Sequence, residues 1–283
     1  MIDEGTLGSK PSFINMFDRI HIDEKWFYMS KPSQKYYLHP EEIEPFRTCK
    51  SKRFISKVMF LTAVARPRFH STANREFNGK IGIWPFVFKE PAKRSSKNRV
   101  AGTLESKPIL SVTKDIIRLC LIEKLLPSIK EKWPLGSSSN IFIQQDNARP
   151  HIYANDVEFQ QVVETYGLDI RLCCQPPNSH DLNVLDLGFF RAIESLQHQE
   201  APTIVDEFVL AVDKAFDMFP SEDLNNVFLT LQTCMVEILR NFGGNNYKNL
   251  HVNKQKLIRD GELPICIECD FQVLNEAKAS MTQ

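Results

Sequence analysis

Val58 to Ala65 reads Val-Met-Phe-Leu-Thr-Ala-Val-Ala, an almost unbroken apolar run. A strand with one wet face needs a polar residue at every second position, and this run has only Thr62 to offer. It is therefore expected to be a strand covered on both faces, which requires helices in two layers around a sheet. Strand patterns also fall at Arg19 to Met29, where Ile20 and Ile22 alternate with His21 and Asp23, and at Lys80 to Phe88, Asn140 to Gln145 and Leu168 to Cys174. Gln34 to His39 is a further hairpin candidate beside the first of these. Helical patterns cover Thr113 to Trp133, kinked near Pro127, and Asn155 to Tyr166, stopping at Gly167. Leu187 to Gln197 carries the stripe Leu187, Phe190, Ile193 and Leu196. Thr203 to Asp217 opens on Thr-x-x-Asp, a variant of the capping box, and Ser221 to Phe242 runs from Pro220 to Gly243-Gly244. Strands first, then alternating helices and strands, then helices: the order fits an α/β mixed sheet with helices on both faces, which several folds share.

The 35 basic and 35 acidic residues cancel, but not locally. Arg47 to Arg99 holds 14 Lys/Arg against Glu76 and Glu90, so the remainder of the chain is acidic by the same margin. Such asymmetry fits a polyanion-facing surface and equally a solvated basic face. Lys89 to Lys107, with Lys93, Arg94, Lys97 and Arg99, reads as a long exposed loop. No apolar stretch of transmembrane length is present, and none at the N-terminus resembles a secretory signal. The seven cysteines are irregularly spaced and expected to be reduced thiols. Cys266 and Cys269 lack the second ligand pair that a structural zinc site needs.

Three acids stand where strands meet loops or helices. Asp23 lies in the first strand, Asp146 directly follows Asn140 to Gln145, and Asp186 immediately precedes a helix. The edge of an α/β sheet, at the ends of its strands, is where such sheets bind ligands. Each acid also fits a simpler role: a solvent-facing strand residue for Asp23, a turn cap for Asp146, a helix N-cap for Asp186.

The neighbours of these acids separate the readings. Gln144-Gln145-Asp146-Asn147-Ala148-Arg149-Pro150-His151 resembles the second acidic motif of the mariner transposase superfamily. The stretch from Gln175 to Asp186 resembles its third, and His21 to Tyr28 its first. The 39 residues between Asp146 and Asp186 match the spacing of the plant mariner-like branch, as do features of Tyr37 to Phe54 and Lys80 to Arg99. The resemblance covers about residues 10–275.

It implies a ribonuclease H-like fold, a mixed five-stranded sheet flanked by helices on both faces, over residues 19–245, with a basic insertion at about 89–107. Residues 1–18 then read as linker or tail, and 246–283 as an extension packing on the catalytic domain. It also implies a DNA transposase whose catalytic and metal-binding residues are Asp23, Asp146 and Asp186. Asp186 is chosen over Asp181 because the family's ligand is the later acid. Two divalent cations are implied, Mg²⁺ with Mn²⁺ able to substitute, one activating the attacking oxygen and one stabilising the leaving oxygen. Transposon terminal repeats and target DNA are the implied partners, with a homodimer, no membrane, and a nuclear location. Lys93, Arg94, Lys97, Arg99 and Arg149 are the candidate DNA contacts. Asn147 and His151 are candidate supports of the acids, and His151 suits either orienting the site or a buried structural role. Glu24, pointed away from Asp23 by strand alternation, is assigned a structural role.

Two departures weigh on activity. Residues 1–18 are too few for the helix-turn-helix modules with which family members read transposon ends. His180 stands where the family usually has proline, which would fix the turn aiming the third acid. The alternative function is therefore a truncated, non-catalytic, DNA-associated binding module.

Overall fold

The computed structural model describes residues 1–4, 10–30, 38–43, 55–70, 74–95, 99–134, 136–248 and 253–281. Its central sheet has five strands: β1 (Arg19–Tyr28), β2 (Lys57–Ala65), β3 (Lys80–Pro85), β4 (Asn140–Gln145) and β5 (Asp169–Cys174), in the spatial order β3-β2-β1-β4-β5. Within β3-β2-β1 each adjacent pair is antiparallel. β4 is parallel to β1, and β5 is parallel to β4. This is the ribonuclease H-like arrangement that was expected.

The apolar run of β2 sits second from the edge, and Phe60 to Ala65 are all buried. Alternation along β1 divides two cores. Ile20 and Ile22 face a layer made by α1 (Lys114–Cys120), α2 (Leu126–Lys132) and α3 (Val157–Glu164), packing with Leu121, Ile129 and Phe159. Phe27 faces the other layer, made by α4 (Phe190–Gln197), α5 (Val205–Met218) and α6 (Ser221–Arg240). On that side Phe189 packs edge-on against Phe216 and Phe219, with ring centroids 6.0 and 4.9 Å apart, a favoured aromatic geometry. Asp23 shares the α4–α6 side with His21 and Phe27, so the fold aims it away from Ile22 and Glu24.

Several local expectations change. α1 and α2 are joined by a π-helical turn, Leu121–Leu125, which places the irregularity just before Pro127. The basic stretch is not a long loop: Val87–Pro91 and Leu104–Pro108 pair antiparallel as a hairpin. Both strands lie outside the central sheet and mix apolar and polar residues on their faces, so neither shows an apolar period. The hairpin is tied to α5 by Asp206, which accepts from Lys89 Nζ at 2.6 Å and Ser106 Oγ at 2.7 Å. Asp206 is therefore not the capping partner of Thr203; Glu207 is, accepting from the Thr203 amide and hydroxyl at 2.8 Å each.

The tail reading of residues 1–18 fails for Phe13 and Met16, which are 3% and 0% exposed. Ser12–Phe13 pairs with Ile2–Asp3 and bonds to the chain near Ile267 and Cys269. Two apolar residues are too few to show a period, yet enough to anchor a segment. Beyond α6 lie α7 (Lys254–Asp260) and α8 (Phe271–Met281), and Leu274 and Ala277 of α8 are buried. The expected Gln34 to His39 hairpin strand lies largely outside the described residues. No helix among the described residues is long and apolar enough to cross a membrane.

Candidate active site

The register of β1 with β4 pairs Ile20 with Ile143 and His21 with Gln144. Continued two residues beyond that last pair, one past the end of β4, it brings Asp146 level with Asp23. Asp186 arrives from the other side, in a π-helical turn Leu185–Phe189 that precedes α4. The helix begins only at Phe190, because Leu187 and Gly188 leave helical geometry and Gly188 adopts φ 125°, a left-handed value that favours glycine. Asp186 is thus neither N-cap nor first helical residue of α4.

Asn183 joins the two sides. It is 3% exposed, and its Nδ2 donates to Asp23 Oδ2 at 2.6 Å and to Asp186 Oδ2 at 3.4 Å. Its Oδ1 accepts from the Leu185 amide at 3.1 Å. One residue earlier, the Leu182 carbonyl accepts from Gln144 Nε2 of β4 at 2.8 Å. The segment carrying the third acid is thereby stitched to both central strands. Asn183 had not been singled out from the sequence, although it lies within the third motif.

Among the three acids the neighbouring charges act most on Asp23. Burial, then the charges of Asp186 and Glu24 and, more weakly, Asp146, push the Asp23 carboxyl up to about 8. The Glu24 amide, donating to Asp23 Oδ1 at 2.7 Å, opposes this only in part. Burial also raises Asp186, against the pull of His180, Lys25 and the Asn183 amide. His180 Nδ1 lies 3.9 Å from Asp186 Oδ2, so the residue that replaces the expected proline faces the third acid as a polar neighbour.

Asp146 is held by its own loop. Its Oδ1 accepts from the Ala148 amide at 2.8 Å and lies 2.8 Å from His151 Nδ1. The far nitrogen of that ring, Nε2, lies 2.8 Å from Glu24 Oε2. Burial alone would lower the His151 pKa, but the hydrogen bond and charge of Glu24, with Asp146, hold it at about 9. The ring is therefore an imidazolium at neutral pH and donates to both acids. Glu24 does face away from Asp23, as alternation requires, but the loop after β4 carries His151 round to meet it. Its structural role is thus specific: through His151 it orients Asp146. Strand alternation in β1 alone held no sign of this, because the partner lies 127 residues away.

Glu24→Gln tests this link. The His151 pKa, read by NMR, should drop from about 9 toward its ordinary value. The pair's stabilisation is full below the unfolded histidine value and lost as pH rises through 9. The variant should therefore be destabilised by roughly 2 kcal/mol near pH 6. The deficit should shrink between about pH 6.5 and 9 and vanish above that window.

The donors suit a hard cation. Asp23, Asp146 and Asp186 offer carboxylate oxygens, the ligands that Mg²⁺ and Mn²⁺ prefer. Their mutual repulsion is relieved by a single neutral amide, Asn183 Nδ2, which points its hydrogens at two carboxylates as a cation would attract both. With these side-chain positions, no three His, Cys, Asp or Glu among the described residues stand at metal-ligand spacing. Asp146 is turned to His151, and the Asn183 amide stands between the other two. The fit is one of chemistry and placement, and ligation requires these side chains to turn.

The candidate DNA contacts are unequal. Lys93 is well exposed and only loosely paired, 3.7 Å from Glu90, and Arg94 and Arg149 are exposed. Arg99 is paired with Glu105, which also holds Lys107 at 3.1 Å, so it is committed to a contact within the hairpin. Lys97 lies outside the described residues. Asn147 donates to the Gln175 carbonyl at 2.7 Å, tying together the loops that leave β4 and β5.

No protein-family model matches the chain, and no curated protein sequence does. Solved structures do. A Mos1 transposase paired-end complex with the left transposon end superposes with TM-score 0.52 at 18% identity, over 76% of this chain and 52% of that one. A pre-cleavage Mos1 transpososome gives TM-score 0.52 at 16% identity, over 76% and 53%. A Mos1 mariner paired-end complex with Mn gives 0.52 at 15%, over 78% and 56%. The chain spans about half the length of the chains it matches. At these identities the likeness establishes a shared fold.

Proposed function

We propose that the chain is the catalytic domain of a mariner-like DNA transposase, cutting and joining strands at transposon ends in a metal-dependent reaction. One observation carries this: within a ribonuclease H-like sheet, Asp23 on the central strand and Asp146 after the adjacent parallel strand stand level in register, and Asn183 donates to both Asp23 and Asp186. The three sequence motifs add to it, as does the use of Mn and of Mg in paired-end complexes of the fold's neighbour Mos1.

On this reading Asp23, Asp146 and Asp186 hold the divalent cations, which supply charge neutralisation at the phosphate and activation of the attacking oxygen. The chain's own residues prepare that chemistry. Asn183 keeps Asp23 and Asp186 side by side, and His151, charged by Glu24, orients Asp146. Burial makes Asp23 sensitive to any nearby positive charge, because the low dielectric strengthens the attraction. The nucleophile is water in cleavage and a DNA 3′-hydroxyl in strand transfer, so no protein nucleophile is needed. Lys93, Arg94 and Arg149 grip phosphates beside the site.

The test is cleavage of pre-nicked transposon-end DNA with Mg²⁺ or Mn²⁺. The wild-type chain should cut, and equal behaviour of wild type and Asp146→Asn would remove the enzymatic reading. DNA affinity gives a separate expectation. Replacing Lys93, Arg94 and Arg149 together with alanine should weaken binding and reduce the slope of log K against log salt by roughly 2–3. An unchanged slope in a filter-binding or anisotropy titration would take these residues off the DNA path.

A further inference from the structure

Asp181 has no part in the proposed chemistry, yet it is well held. It lies in the 3₁₀ turn His180–Leu182, five residues before Asp186. The Tyr247 hydroxyl donates to Asp181 Oδ2. The same hydroxyl interacts with the thiol of Cys234, a buried residue of α6. Nearby, Asn245 Nδ2 donates to the Asn178 carbonyl at 3.4 Å, where Asn178 turns the chain with φ 59°. Asn178, His180, Asp181, Asn245 and Tyr247 line one small cleft.

The turn is thus gripped on two sides. On the inner side Leu182 and Asn183 bind β4, Asp23 and Asp186. On the outer side, Asp181 is tied to a segment that follows α6. At the expected proline position stands His180, which cannot fix φ as a ring would. A tertiary tie supplies restraint there by another route.

We infer that Tyr247 is a positioning residue for the third acid: its bond to Asp181 fixes the 180–183 turn, and through Asn183 sets where Asp186 can stand. This rests on the reading of Asp186 as a metal ligand. Tyr247→Phe removes the donor and keeps the ring. Asp181→Ala removes the acceptor, whereas Asp181→Asn keeps an oxygen for the hydroxyl.

Two readouts test the inference, neither of which needs cleavage. In metal-free protein, the amides of Leu182, Asn183, Asp186 and Leu187, which close this turn, should exchange about tenfold faster in Tyr247→Phe and Asp181→Ala. Asp181→Asn should exchange like wild type. Mn²⁺ titrated alone and followed by electron paramagnetic resonance should bind about tenfold more weakly in the same two variants. Their double mutant should be no worse than either single one, since both break one bond. Faster exchange with unaltered Mn²⁺ affinity would leave Tyr247 a merely structural residue and overturn the inference, as would unchanged exchange. Asp146→Asn is the control that separates the two failures. If it weakens Mn²⁺ binding and Tyr247→Phe does not, the positioning role is wrong and the site reading stands. If Asp146→Asn leaves Mn²⁺ binding unchanged, the site reading itself fails, and the inference with it.

Discussion

Asp146→Asn is expected to lower metal-dependent cleavage of transposon-end DNA by on the order of 10³-fold, equivalent to about 4 kcal/mol of transition-state stabilisation. The fold should survive. Asparagine keeps the size of the side chain and an oxygen for the Ala148 amide, which Asp146 Oδ1 now accepts at 2.8 Å. It also leaves an acceptor near His151 Nδ1. It removes the negative charge, and a neutral amide is a poor ligand for a hard cation beside carboxylates. The melting temperature of the metal-free protein should therefore stay within a few degrees while activity disappears. A variant that lost both together would point to a folding role for Asp146.

Asp23→Asn should also abolish cleavage, but with the opposite mark on stability. The Asp23 carboxyl is held at about 8 in the folded chain, against an ordinary value of 3.8. Between these values the folded state binds a proton that the unfolded state has released, so stability falls as pH rises through that window. Asparagine cannot ionise and does not suffer this loss; its one side-chain oxygen can still accept from Asn183 Nδ2, although the bond from the Glu24 amide is given up. The metal-free variant should exceed wild type by roughly 2 kcal/mol near pH 8, a rise in melting temperature of about 5 °C. Near pH 4 this advantage should be lost. Mn²⁺ should reverse the order, because the charged carboxylate that strains the empty site is what binds the cation. Stability given up for function in this way is common at sites built to hold charge. Thermal melts at both pH values, with and without Mn²⁺, would reveal an equal pH response in the two proteins if the acids are not coupled as described.

Much of the fold was legible because its signal is periodic. The apolar run of Val58 to Ala65 announced a strand with two covered faces, and Ile20 and Ile22 alternating with His21 and Asp23 fixed which way the first acid points. The acids themselves were legible because strand ends and motif spacing coincide. What escaped depends on contacts distant in sequence. The meeting of Glu24 with His151 needs the parallel pairing of β1 and β4 and a loop of particular shape. Asn183 drew no notice because a buried asparagine between two acids looks, in sequence, like any turn residue. The basic hairpin reads as a loop in sequence because strands outside the central sheet need not alternate. Gly188 delays the start of the expected helix to Phe190, since a left-handed residue cannot be told from a tolerated helical glycine by pattern alone.

The central claim is that Asp23, Asp146 and Asp186 form one cation site. Anomalous diffraction from crystals grown with Mn²⁺, with transposon-end DNA bound, tests it most directly. Manganese is predicted to lie among these three carboxylates, with Asp146 turned away from His151 to meet it. Manganese at other residues, or none at this cluster while the DNA is in place, would contradict the account.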